Sequence, residues 1–192
     1  MSLIAVTGGI GVGKTTVLQF FQKFGARTLD ADDVAHKIYL PGSSVYLAIV
    51  SRWGSEVLLD DGHLNRQIIA KKAFYSTKEL CWLNSVTHPA IRRDILAEVE
   101  KSAVDLYCAI PLLYETEWQK DAKKVISLWC DKNAQRERLL QRGWSEKEIG
   151  ARIDSQISME EKLLRADFGI ISICSCRILE LQCKKVYEQI SR

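Results

Sequence analysis

The residues Gly8-Gly9-Ile10-Gly11-Val12-Gly13-Lys14-Thr15 match G-x-x-x-x-G-K-[ST] at every constrained position. Glycines let a backbone take left-handed angles and bring its N–H groups against phosphate oxygens, while a following helix adds partial positive charge at its N-terminus. In such a loop Lys14 reaches the β- and γ-phosphates, and the Thr15 hydroxyl ligates the Mg²⁺ that bridges them. The expected ATP-binding set is Gly11, Val12, Gly13, Lys14, Thr15 and Thr16, with Lys14 also catalytic and Thr15 also the metal ligand. The bland alternative is a glycine-rich turn with an incidental lysine, and the elements on either side argue against it.

GTP-dependent switches read guanine through an N-K-x-D segment after a strand; none occurs here, and Lys132-Asn133 reverses the order. Beyond the loop lie an acidic stretch, Asp30-Ala31-Asp32-Asp33, and later a segment rich in arginine. A carboxylate at a strand end and an arginine lid are the groups that phosphoryl transfer with exclusion of water requires, which points to a small-molecule kinase.

A phosphate loop works only between a strand and a helix, and the flanking residues supply both. Leu3 to Val6 is a short β-branched apolar run ahead of the glycines, and Val17, Phe20, Phe21 and Phe24 then recur at helical spacing. Gly25 stops that helix, and Ala26 to Leu29 form a second strand, completing a βαβ unit with a right-handed crossover. Leu106 to Ile110, Val125 to Cys130 and Phe168 to Ile173 are further strands. From Val34 to Lys101 the pattern is helical, with turns at Pro41-Gly42 and Asp60-Asp61-Gly62 and with Pro89 opening a helix. Arg136 to Arg165, broken by Gly143 and Gly150, reads as short helices of a lid, and Leu179, Cys183, Val186 and Ile190 mark a closing helix.

The 192 residues carry a net charge of +3 and are 47% hydrophobic, which suits one folded domain and argues against disorder. The longest apolar run, Val45 to Val50, is far short of the ~20 residues that cross a bilayer. With no basic leader at MSLIAVTGG, no secretory or transit peptide is expected, and the chain is placed in the cytoplasm. Six scattered cysteines, Cys174 and Cys176 included, read as reduced thiols. No basic stripe interleaved with aromatics suggests nucleic acid. A monomer is expected, with an oligomer left open.

In order along the chain, TGGIGVGKTT, LDADDVAHKI, PG, DGHLNR, HPAI, IPLLYE and AD resemble the dephospho-coenzyme A kinase family over nearly the whole length. The resemblance implies ATP-dependent phosphorylation of the ribose 3′-hydroxyl of dephospho-coenzyme A. It implies an α/β P-loop kinase fold, with a five-stranded parallel sheet flanked by helices. One domain over 1–192 is expected, with its core in 1–40, 102–135 and 166–192, a helical substrate-binding insertion at about 41–101 and a lid at about 136–165.

The same resemblance makes Asp32 the base for the acceptor hydroxyl, a task that a carboxylate at the edge of a parallel strand can perform, although an aspartate there also suits a helix cap. It makes Arg142 the lid arginine, with Arg138 one turn earlier on the same face and Arg152, Lys162 and Arg165 as weaker candidates. It places Thr7, Asp32, Arg66 and His88 at the substrate; His88 could instead cap a helix starting at Pro89, and Glu115 could hold Mg²⁺ through water or cap a turn. Three positions depart from the family pattern: Val12 in place of Ser, Ala109 in place of an acidic residue, and Phe168 to Cys174 in place of an Asn-Gly near adenine. A nucleoside monophosphate or shikimate-type kinase would share the core, and an ATP-hydrolysing switch protein is the reading from another class.

Overall fold

Strand β1 (Leu3–Gly8) is buried along its whole length, as a continuous apolar run between two neighbours must be. A computed structural model describes all 192 residues and places β1 at the centre of a five-stranded sheet in the order β2-β3-β1-β4-β5. The other strands are β2 (Arg27–Asp30), β3 (Leu106–Ala109), β4 (Ala122–Trp129) and β5 (Phe168–Ile171), and every pairing is parallel. All five strands fall where the sequence predicts them. β4 begins three residues early: its polar head, Ala122 to Lys124, pairs with β1 across a bulge that skips Lys123, and Lys124 is held by Asp167 at 2.8 Å.

The chain forms two compact units, Met1–Asp30 with Val99–Arg192, and Ala31–Glu98. In the first, α1 (Lys14–Lys23) and α9 (Cys176–Ile190) bury Val17, Phe21, Leu179, Cys183 and Val186 against the sheet face that carries Ile4, Val6 and Ile126. α1 ends in paired bonds from Gly25 N–H to Gln22 O and from Ala26 N–H to Phe21 O, which turn the chain directly into β2. The opposite face is covered by α8 (Met159–Leu164): a side chain at Gly169 would meet Leu163 at 2.7 Å, and Gly169 is in register with Ser127, which pairs with Thr7. Between β4 and β5 run α6 (Lys132–Gln141) and α7 (Glu146–Asp154) before α8.

The second unit is helical, with α2 (Ala31–Lys37), α3 (Ser44–Trp53), α4 (Arg66–Tyr75) and most of α5 (Thr77–Glu100) around a core of Ile38, Val45, Ile49, Ile69 and Leu83. The expected Asp60-Asp61-Gly62 turn is present, bracketed by a single bridge between Leu58 and Leu64.

Two expectations are corrected. Pro89 does not open a helix; it lies inside α5. The carbonyl it leaves without a donor belongs to Ser85, and both residues are exposed, where a missing helix bond costs less than it would in the core. Gly150 does not break the charged segment, since it sits within α7. The capping box of Ser145 with Glu148 and the burial of Ile149 outweigh the ~1 kcal/mol that a mid-helix glycine costs.

Candidate active site

β1 is where the strand order reverses, so its C-terminal end opens the crevice in which open parallel sheets bind ligands. The loop 9–13 lies there and leads into α1. Gly13 is the N-cap of α1 at φ 99°, with no side chain closing the helix and no acidic residue in the first turn. Elsewhere Ser43, Asn65, Asp131, Ser145, Ser158 and Ser175 each accept a first-turn N–H at the start of a helix. The donors of α1 are left for an anion.

Lys14 donates to Gly8 O at 3.1 Å and Gly9 O at 2.9 Å, holding its ammonium over the loop. Thr15 and Thr16 are exposed on the first turn of α1. Val12, one of the three departures, is fully buried in the core, so that its backbone alone faces the loop. Thr7 is also fully buried, and its hydroxyl has no partner.

α6 braces the loop from the side. Gln135 Nε2 donates to Ile10 O at 2.7 Å, and Arg138 reaches Val12 O at 3.4 Å. The same guanidinium donates to Ser172 Oγ at 3.0 Å and Ser172 O at 2.7 Å, which ties the loop to the segment after β5. Sequence reasoning missed Ser172, which falls in the stretch that departs from Asn-Gly. Arg142 terminates α6 through its backbone N–H, and its side chain is exposed.

Gly9 is the loop's point of closest approach: a Cβ there would come within 2.9 Å of Gln135 Nε2 and Met159 Sδ. Next to it a cleft of about 470 Å³ opens between α6, α7 and α8, lined by Gln135, Arg136, Ile149, Gln156 and Met159.

Glu115 does not cap a turn with its side chain. Its Oε1 accepts from Ile157 N–H at 2.9 Å and lies 2.8 Å from Lys162 Nζ, which also donates to Pro111 O at 2.6 Å. Lys162 has no exposed surface. Burial pushes its pKa down, and Glu115 acts the other way.

Asp30 ends β2 in register with Ala109, so a carboxylate stands beside the strand position that lacks one. No group of three or more His, Cys, Asp or Glu could by itself hold a metal. The metal ligand expected at Thr15 therefore fits only an ion that takes most of its oxygens from phosphate and water, as Mg²⁺ does.

In the helical unit Asp32 lies exposed in the first turn of α2, where the helix dipole favours a carboxylate. His36, one turn on, places Nδ1 2.6 Å from Asp32 O; a carbonyl only accepts, so Nδ1 carries the proton. Arg66 donates to His36 O at 3.4 Å, and its guanidinium lies 5.2 Å from the centre of the Tyr39 ring. His36 and Tyr39 escaped the sequence reading, although the i, i+4 spacing from Asp32 to His36 signals a shared face. His88 is half-buried midway along α5, where burial pushes its pKa down, and no helix starts after it to be capped.

The dephospho-CoA kinase family model matches residues 2–173. A dephospho-CoA kinase of Syntrophotalea carbinolica is 40% identical over 176 residues, 88% of this chain and 83% of that protein. One from Aquifex aeolicus is 34% identical over 100% of this chain and 99% of its own. The solved dephospho-CoA kinase of Campylobacter jejuni superposes with a TM-score of 0.74 at 31% identity, covering 98% of this chain and 96% of that one. With a phosphate loop at the switch point of a parallel sheet and this likeness along nearly its whole length, the chain belongs to the dephospho-CoA kinase family.

Proposed function

We propose that the protein transfers the γ-phosphoryl group of ATP to the ribose 3′-hydroxyl of dephospho-coenzyme A, giving coenzyme A and ADP. The observation that carries this reading is the uncapped N-terminus of α1 at the sheet's switch point, with the Lys14 ammonium held over the loop. Backbone N–H groups of Gly11 to Thr16 receive the phosphates, and Lys14 leaves the two carbonyls for the β- and γ-oxygens.

Asp32 takes the proton of the 3′-hydroxyl as its oxygen attacks phosphorus and ADP leaves. Its exposure at the start of α2, with His36 and Arg66 securing that helix, suits a group that must meet a substrate. Arg66, His88 and Thr7 complete the acceptor side, and Arg142, exposed at the end of α6, supplies a guanidinium to the transferring group when the 136–165 lid covers it. The Thr15 hydroxyl would hold Mg²⁺ together with phosphate oxygens and water; when bound, the ion neutralises charge on the β- and γ-phosphates. Six free thiols suit the reducing cytoplasm, and no helix is long and apolar enough to cross a membrane. We place the protein there as a monomer.

The test offers dephospho-coenzyme A, AMP, CMP and shikimate separately with ATP and measures ADP. Turnover is expected with dephospho-coenzyme A; turnover with a nucleoside monophosphate alone would overturn the assignment. Asp32→Asn is expected to keep ATP binding and lower transfer by ~10² to 10⁴-fold.

A further inference from the structure

We infer that Glu115 and Lys162 are positioning residues for phosphoryl transfer: their buried ion pair sets where α8 stands against the phosphate loop. The inference rests on the reading of 136–165 as the lid of a kinase.

One carboxylate oxygen, Glu115 Oε1, accepts from both Ile157 N–H and Lys162 Nζ, on either side of the start of α8. Lys162 closes the arrangement on Pro111 O, in the loop after β3. That loop begins beside β1, where Ile110 N–H donates to Val6 O at 2.9 Å. The pair therefore fastens the C-terminal stem of the lid to the edge of the sheet that carries the phosphate loop.

Three residues before Lys162, on the same side of α8, Met159 borders the position a Cβ of Gly9 would occupy, together with Gln135. Gln135 in turn holds Ile10 O. The Glu115 contacts thus flank, at Ile157 and Lys162, the residue of α8 that borders the loop, so a shift of the ion pair moves Met159 against Gly9.

Stability does not account for the pair. Taking a lysine and a glutamate out of water costs about as much as their attraction returns, and apolar residues of the same volume serve a fold as well or better. The surroundings are also incompletely satisfied, because Glu115 Oε2 and Gln156 Oε1 are buried without a donor. The pair supplies instead a single geometry for α8.

The test compares ADP formed with acceptor phosphorylated, a ratio near one when water is kept from the γ-phosphate. In Lys162→Met that ratio is expected to rise several-fold, since a displaced stem admits water, while transfer falls ~10 to 100-fold at an ATP dissociation constant within ~3-fold of the parent. Lys162→Arg, which keeps the charge, should return the ratio toward one. The ratio does not depend on how much of a sample is folded, so a poorly folding variant remains decisive. If Lys162→Met yields no protein, Glu115→Gln is measured in its place with the same expectation. A ratio that stays at one in these variants overturns the proposal, whereas a parent enzyme that never phosphorylates dephospho-coenzyme A overturns the functional reading instead.

Discussion

Helices α1 and α6 both begin at the C-terminal end of a strand of the same sheet, β1 and β4, and their first turns are built in opposite ways. Asp131 closes α6 by accepting Ala134 N–H at 2.9 Å, whereas α1 starts from a left-handed glycine with no side chain at its donors. A capped helix is finished as local structure. An uncapped one beside a lysine carries a positive field that only a ligand completes. α6 then turns its finished surface to use, since Gln135 and Arg138 hold the carbonyls of the open loop.

The largest effect should come from removing the charge at the open end. Lys14→Ala is expected to lower transfer by ~10³-fold, read as kcat for coenzyme A formation with ATP saturating. Next, Gly13→Asp adds a negative charge at the open start of α1 and sets a side chain on its left-handed backbone at φ 99°, and ATP affinity measured by calorimetry should fall by ~100-fold. Unchanged ATP affinity in that variant would mean that the two helix starts do not differ in function.

Opening the closed end is expected to do much less. Asp131→Ala should destabilise the fold by about 1 kcal/mol in urea titration, with ATP affinity changed only as far as α6 loosens its hold on the loop.

The smallest effect concerns the same device on a strand. Asp167 accepts Val125 N–H at 2.8 Å and pairs with Lys124 at 2.8 Å. Partial burial opposes its ionisation, but these partners prevail and hold its carboxyl below the usual aspartate range. A carboxyl lowered on folding contributes stability above the unfolded value of about 4 and loses it as pH falls through the folded one. Asp167→Asn should therefore cost about 0.5 to 1 kcal/mol at neutral pH, and the two stabilities should converge as pH falls through the lowered folded value.

Much of this was legible in the residues. Eight consecutive positions specify the phosphate loop because its chemistry is local: glycines for backbone approach, a lysine and a hydroxyl at a helix start. The strands were legible because β1, β3 and β4 are apolar over most of their length, and the polar head of β4 was missed for the same reason. Pro89 was misread because a missing N–H is harmful only where the partner carbonyl is buried, and the sequence does not say that Ser85 faces water. Arg138 and Arg142 are equivalent as letters; contact with Val12 and Ser172 separates the guanidinium that braces the loop from the one left exposed.

Residue order alone dictates that a triphosphate tail is gripped between a strand and a helix, since every group needed lies within one short stretch whose geometry glycine sets. How that grip is held in place emerges only when the chain is folded. Glu115 and Lys162, or Arg138 and Ser172, lie tens of residues apart, and each is an ordinary surface residue type until folding removes water and leaves it a single partner.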